Sequence, residues 1–480
     1  MFESVKDMAE TVASVATVAG DAITVSPGAA LSADVIDRLA WTAAFGASPE
    51  IKGAARWIIR SVAAAAGIRP ASIHDLYIAM GQGKVGGFTV PAINVRAMGY
   101  DTARAVIRAA TTLNAGAFIF EIARSEIGYT EQRPHEYASI LFAAALREGF
   151  TGPLFIQGDH VQTNAKKYNS PEREKELETL RGLIREEIAA GFYNIDIDTS
   201  TLVDLDKPTL VEQQDVNVSL AADFAAYIRS VEPAGVTVSI GGEIGEVGGK
   251  NSDIHELHCY MDGINAKLKE RGIIVGLSKI SVQTGTAHGG FINADGTVRK
   301  DVAIDLDALQ ELSTAARTYG MGGAVQHGAS TLPLEAFDAF PRVGACEIHL
   351  ATDFQNMVYD HPEFPAALKA EMYAWLQEHA TEERKPKDTE EQFLYKARKK
   401  AIGPFKRQLW GMPVANRDAI GASLEERFTR LMTLLKIDGT AAPVKQFVTV
   451  PHVPLTLDSE VKAAAGIITA DERKAEGLAD

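Results

Sequence analysis

Cysteine is almost missing: Cys259 and Cys346 are the two in a chain of 480 residues. A disulfide framework needs more, so a small disulfide-stapled fold is excluded. Positive charge is also short, with 48 Lys and Arg against 63 Asp and Glu and a formal charge of -15 at pH 7. Nucleic-acid affinity rests largely on cations that neutralise phosphates, so nucleic acid is not expected as a partner. No uninterrupted apolar stretch approaches the ~20 residues of a membrane helix, and no membrane partner is expected. The segment from Met1 to Asp21 carries acids where a secretory leader would have a basic region and an apolar run. The expected location is therefore cytoplasmic.

What the chain does have is a rhythm. Short apolar, β-rich runs alternate with segments of helical period, the pattern of βαβ units and a parallel sheet. Eight runs are expected as strands: Phe88–Val95, Ala115–Ala123, Pro153–His160, Asn194–Ser200, Val236–Glu243, Lys279–Thr286, Gly323–Ser330 and Ala345–Asp353. Between them Leu177, Leu180, Leu183, Ile184 and Ile188 share one helical face, as do Leu306, Leu309, Leu312 and Ala316. Eight β/α pairs, the last helix near Pro362–His379, suit a closed (β/α)₈ TIM barrel, which occupies ~250 residues. The expected organisation is an N-terminal helical extension over 1–70, the barrel over 71–380 and a mainly helical C-terminal extension over 381–480. A doubly wound open sheet is the structural alternative. The basic run Lys396–Lys400 reads as a solvated helix face. The sequence Gly81-Gln-Gly-Lys-Val-Gly86 spells a dinucleotide fingerprint, but it precedes a strand instead of joining strand to helix.

Barrel chemistry gathers where strands end. Polar residues crowd those positions here: Asn94, Glu121, Asp159, His160, Asp196, Asp198, Glu243, His288, His327, His349 and Asp353. His160, His288 and His327, at the ends of strands three, six and seven, can converge on one point and leave a coordination position open, as in a catalytic zinc site. Asp159 beside them is a candidate acid/base. Neighbours on a strand point to opposite sides, so a bend at Asp159 is required. Asp198 is a candidate to orient a metal ligand. Gly289, Gly290 and Gly328, with the hydroxyl of Ser330, offer backbone N–H groups to an anion.

The segments Phe88–Asn94, Gly158–His160, Ile197–Ser200, Thr286–Gly289 and Gln326–Ser330, in this order over residues 72–356, resemble the class II fructose-bisphosphate/tagatose-bisphosphate aldolase family. The resemblance implies a (β/α)₈ barrel holding Zn²⁺ or another divalent metal on His160, His288 and His327. It implies Asp159 as the residue that moves the hydroxyl proton at the cleaved carbon–carbon bond. Asn94 would then contact substrate, Gly289, Gly328 and Ser330 hold phosphate, and Asp198 support the metal. The expected reaction is reversible cleavage of a phosphorylated ketose, fructose 1,6-bisphosphate foremost, into two trioses by a homo-oligomer.

The chain also departs from that pattern. After strand five, Gly248-Gly249 is followed by Lys250, Asn251 and Ser252, where the family has an acidic pair on a loop. Glu243 falls where some members are acidic. On strand eight His349-Leu-Ala-Thr-Asp353 replaces Asn-Ile-Asp-Thr-Asp, leaving Thr352 and Asp353 in the substrate-facing places and His349 as a newcomer. Around Glu121 and Glu243 the chain is similar to the non-catalytic subunit of tagatose-bisphosphate aldolase, so a non-catalytic or assembly subunit is the competing expectation. A metal-dependent barrel hydrolase is a third; its usual paired histidines on the first strand are replaced by Asn94.

Overall fold

A computed structural model describes residues 1–245, 250–285, 293, 295, 297, 304–330, 332–468 and 470–473. Eight parallel strands form its centre: β1 (Val90–Asn94), β2 (Ile119–Ala123), β3 (Leu154–Gln162), β4 (Asn194–Asp198), β5 (Ser239–Glu243), β6 (Lys279–Val282), β7 (Ala324–Gln326) and β8 (Glu347–Leu350). Each pairs with its sequence neighbour, β8 returns to β1, and the sheet closes into a (β/α)₈ barrel. The open-sheet alternative is thereby excluded. A two-residue strand, Pro70–Ala71, adds to the outer end of β3.

The strands are buried on both faces because helices wrap the outside, which is why they read as near-continuous apolar runs. Inside, however, this barrel departs from the Val, Ile and Leu filling usual in the fold. Glu121, Gln157, Asp159, Lys279, Gln326, Glu347 and His349 are all buried on the strands. Helix His74–Gly81 closes the bottom and sends Tyr77 in to donate a hydrogen bond to Glu347.

The extensions clasp the barrel. Trp41 and Phe45 from helix Ala33–Phe45 meet Trp410 edge-on at 5.6 and 5.2 Å, while Tyr100 stacks on Trp410 at 6.0 Å. The alanine-rich helix Pro49–Ala65 lies so close to Leu457–Ala464 that a Cβ at Gly53 would stand 2.6 Å from the backbone of Val461. Small side chains thus let two distant parts of the chain pack backbone to backbone.

Three expectations are corrected. The first 70 residues are not helical throughout: Ala16–Ala19 and Ala22–Val25 form an antiparallel hairpin, turned by Gly20 at φ +60°. Strand eight ends at Leu350, because Thr352 and Asp353 already open the helix Thr352–Tyr359. The basic run is not a solvated face either. Arg398 is 3% exposed and donates to Asp360 and Asn356, because its segment folds back against Tyr359 and Tyr395.

Candidate active site at the barrel mouth

The bend required at Asp159 is present. On β3, Gly158 pairs with Ile195 and Val161 with Ile197, so one extra residue is fitted into the ladder. His160 takes φ +38°, a conformation that non-glycine residues adopt only when their surroundings hold them there. At Gly158 the buried carboxyl of Glu187, on helix Arg173–Ala190, takes the room of a side chain: a Cβ there would stand 2.5 Å from it, so that carboxyl would have to shift. The bulge lets consecutive residues both serve the mouth. Asp159 reaches His349 at 3.1 Å, and His160 reaches Asp198 at 2.9 Å and Glu243 at 3.3 Å.

Three imidazoles form a column along the barrel axis. His349 and His327 lie 4.0 Å apart between ring centres, and His327 and His160 lie 4.5 Å apart. His327 Nε2 is 2.9 Å from the hydroxyl of Ser281. His160 Nδ1 faces Asp198, whose carboxylate also accepts from Gln162 (2.6 Å), the Ser200 hydroxyl (2.7 Å) and the Ser200 N–H (3.1 Å). Such a carboxylate fixes the ring's tautomer and turns Nε2 to other work. Donor atoms of His160, Glu243 and His327 lie within 4.8 Å of one another, as do those of Asp159, His327 and His349. Both sets combine nitrogen and oxygen in the manner that suits a divalent ion.

Among the described residues, imidazoles are the cations that face the carboxylates of this layer. Glu121, Asp198 and Glu243 have no Lys or Arg within ion-pair distance among the described residues; their positive partners are imidazoles. Burial, reinforced by the Asp198 carboxylate, pushes Glu243 up to about 7 in spite of His160. Burial opposes charge on His160, yet Asp159, Glu243 and Asp198 outweigh it and raise its pKa well above the usual value. Asp198 is held low: burial works against its charge, but the hydrogen bonds from His160, Ser200 and Gln162 prevail.

One layer down, the protein supplies its own cation. Lys279 Nζ donates to Gln157 at 2.7 Å, to Asp196 at 2.9 Å and to Glu347. Glu347 also lies 2.6 Å from His349 Nε2. Lys279, Glu347, Gln157, Ser281 and Tyr77 were not singled out in the sequence. A signal was available: Lys279 and Ser281, and likewise Glu347 and His349, occupy alternate positions of apolar runs, the period that selects one face of a strand.

Other candidates sit around the mouth. Asn94 donates to Glu126, which also binds Arg96. Thr352 lies 3.4 Å from Arg96, and Asp353 is paired at 2.7 Å with Arg427 of the C-terminal extension. The Ser330 hydroxyl accepts the Ala351 N–H at 2.7 Å, and Gly328 has φ +67°. The structure thus gathers His160, His327, His349, Asp159, Asp198, Glu121 and Glu243 into one cluster, with Asn94 and Thr352 grouped beside it around Arg96. His288 and Gly289 lie outside the described residues.

A profile of the family described as class-II fructose-bisphosphate aldolase matches residues 78–405. Among solved structures the chain is similar to a probable tagatose 6 phosphate kinase from Sinorhizobium meliloti 1021, with 16% identity, a TM-score of 0.50, and 78% of this chain and 97% of that one covered. It is similar to a fructose-bisphosphate aldolase from Campylobacter jejuni at 16% identity and TM-score 0.45, covering 77% and 97%. It is also similar to a fructuronate-tagaturonate epimerase from Cohnella laeviribosi at 15% identity and TM-score 0.48, covering 83% and 86%. At 16% identity the likeness to the Sinorhizobium meliloti structure speaks for the fold alone.

Proposed function

We propose, from the premise that this chain belongs to the class-II fructose-bisphosphate aldolase family, that it is a metal-dependent aldolase cleaving a phosphorylated ketose, with fructose 1,6-bisphosphate the first substrate to test. The observation that carries the reading is the set His160, Glu243 and His327, whose donor atoms lie within 4.8 Å of one another in a layer rich in carboxylates. The residues that would hold a divalent ion, zinc foremost, are His160 and His327, joined by His288 on the family resemblance and by Glu243 as a neighbouring oxygen donor. When bound, the ion supplies Lewis-acid stabilisation of negative charge developing on the ketose oxygens.

The chain's own residues do the rest. Asp159 takes the proton of the hydroxyl on the carbon whose bond to its neighbour breaks, and returns it during condensation, a contribution of ~10²–10⁴ in rate. His349 lies 3.1 Å from Asp159 and 2.6 Å from Glu347, so it orients that carboxyl from below. Asp198 keeps the His160 ring aimed. Asn94 and Thr352 face the substrate, Asp353 is a further contact, and Gly289, Gly328 and Ser330 receive a phosphate.

The test is an assay of phosphorylated ketoses, following both triose release and interconversion of ketose isomers, before and after chelation. We expect cleavage that chelation abolishes and zinc restores. His327→Ala should lose bound metal and activity together, whereas Asp159→Ala should keep its metal and lose turnover at least about a hundredfold. Unchanged cleavage after chelation would overturn the reading. Stoichiometric metal with no bond cleavage in any ketose would favour the non-catalytic alternative.

A further inference from the structure

Away from the barrel axis, a cavity of about 540 Å³ opens where the N-terminal extension, the turn after the second barrel strand and the C-terminal extension meet. That size admits a metabolite. Its walls carry six cationic side chains, Lys52, Arg56, Arg133, Lys406, Arg407 and Arg473, against two carboxylates, Glu131 and Glu136. Four of the cations are accounted for. Arg56 and Lys406 share Glu136, Arg133 is taken by Glu186 and Glu472, and Arg473 by Glu131.

Lys52 and Arg407 have no carboxylate within ion-pair distance among the described residues. Arg407 is propped over the ring of Phe45 at 4.7 Å and donates to the Phe45 carbonyl at 3.2 Å, which holds its fork at the cavity wall. Lys52 is half-buried, and its pKa is lowered by burial and by the charges of Arg56, Lys406 and Arg407, with Glu136 opposing. Positive charge is therefore crowded here beyond what the described residues neutralise. We propose that this cavity binds the phosphoryl group of a small phosphorylated molecule, with Lys52 and Arg407 as its principal anchors. A guanidinium fork and an ammonium on one oxyanion give the charge-assisted geometry that phosphate recognition uses. The site is independent of the mouth, and because all three segments wall it, its occupant would bear on how the extensions clasp the barrel.

The test uses pyridoxal 5′-phosphate on the full chain, followed by borohydride reduction and peptide mapping. The aldehyde condenses with an unprotonated lysine amine, releasing water, and hydride fixes the imine as a secondary amine. We expect Lys52 to be labelled ahead of the exposed Lys6, inorganic pyrophosphate to block that labelling, and Arg407→Ala to slow it about tenfold with Lys6 unchanged. Labelling of Lys52 no faster than Lys6, or indifferent to pyrophosphate, would overturn the proposal. Should Arg407→Ala fail to fold, pyrophosphate protection of the unaltered protein decides the matter alone.

Discussion

Glu121 and Glu347 face the same barrel interior, are equally hidden from solvent, and both accept from the amide of Gln157, at 3.1 and 3.0 Å. Their surroundings nevertheless drive their pKa values in opposite directions. Burial opposes ionisation of Glu347, but Lys279 and then His349 outweigh it and hold its pKa at about 2. Burial likewise opposes ionisation of Glu121, and here the Asp159 and Glu347 carboxylates add to it, so that His349 cannot keep the pKa below about 8. The largest difference between them is one ammonium group, that of Lys279 beside Glu347. A buried carboxylate is tolerable when a cation is built in beside it, and costs several kcal/mol when it is not. The lower layer of this barrel carries its own cation, shared between Asp196 and Glu347, although donor atoms of Asp196, Glu347 and His349 also lie within 4.8 Å of one another; among the described residues the upper layer sets imidazoles alone against its carboxylates.

The most disruptive way to break that contrast is Lys279→Met. It would strand Glu347 and Asp196 in the interior, and the expected loss is about 3–5 kcal/mol in urea unfolding. Adding Glu347→Gln removes one stranded charge and should recover more than half of the loss. A single variant within about 1 kcal/mol of the parent would mean that the lower layer does not depend on its lysine.

The upper layer is probed next through Asp198. If its four hydrogen bonds serve to aim His160 at an ion, Asp198→Ala should weaken zinc about 10–100-fold in competition with a fluorescent chelator. Unfolding of the metal-free protein should move far less than the metal-loaded protein. Equal losses in both forms would make Asp198 a structural strand-end cap and nothing more.

The contrast also marks how far the sequence could be read. Strand-end residues such as Asp159, His160 and His327 were legible because a parallel barrel brings the ends of its strands together whatever their spacing in sequence. Even the backbone bend was deducible, since Asp159 and His160 could not otherwise share a site. Lys279 and Glu347 were not legible as partners, because their meeting depends on strands six and eight flanking the same interior layer, and a polar residue within an apolar run does not announce which charge it will find there. His349 looked like a minor departure on strand eight; only the ring distances of 4.0 and 4.5 Å reveal it as the lower member of an imidazole column. The hairpin at Ala16–Val25 was missed for a simpler reason: two four-residue strands are too short to impose a period on their surroundings.

The finest test of the comparison is a pH series on the metal-free protein. Because the folded pKa of Glu121 lies above the unfolded carboxylate value, its contribution to stability is fully present below pH 4.5 and is lost as pH rises towards 8. Glu347 has the opposite sign: its contribution is present above pH 4.5 and is lost as pH falls towards 2. Between about pH 5.5 and 7.5, then, Glu347 adds no slope, while Glu121 retains up to one proton that the unfolded chain has released. Glu243 and Asp196, raised to about 7 and 6, act in the same sense as Glu121, so the informative quantity is the difference between the parent and Glu121→Gln. The parent should lose stability with rising pH more steeply than the variant, by about 1.4 kcal/mol per pH unit for each proton held in the folded protein by Glu121 and by His349, whose pKa Glu121 raises against burial. Parallel slopes would place Glu121 with Glu347 as a settled carboxylate, and the distinction between the two layers would have to rest on the histidines alone.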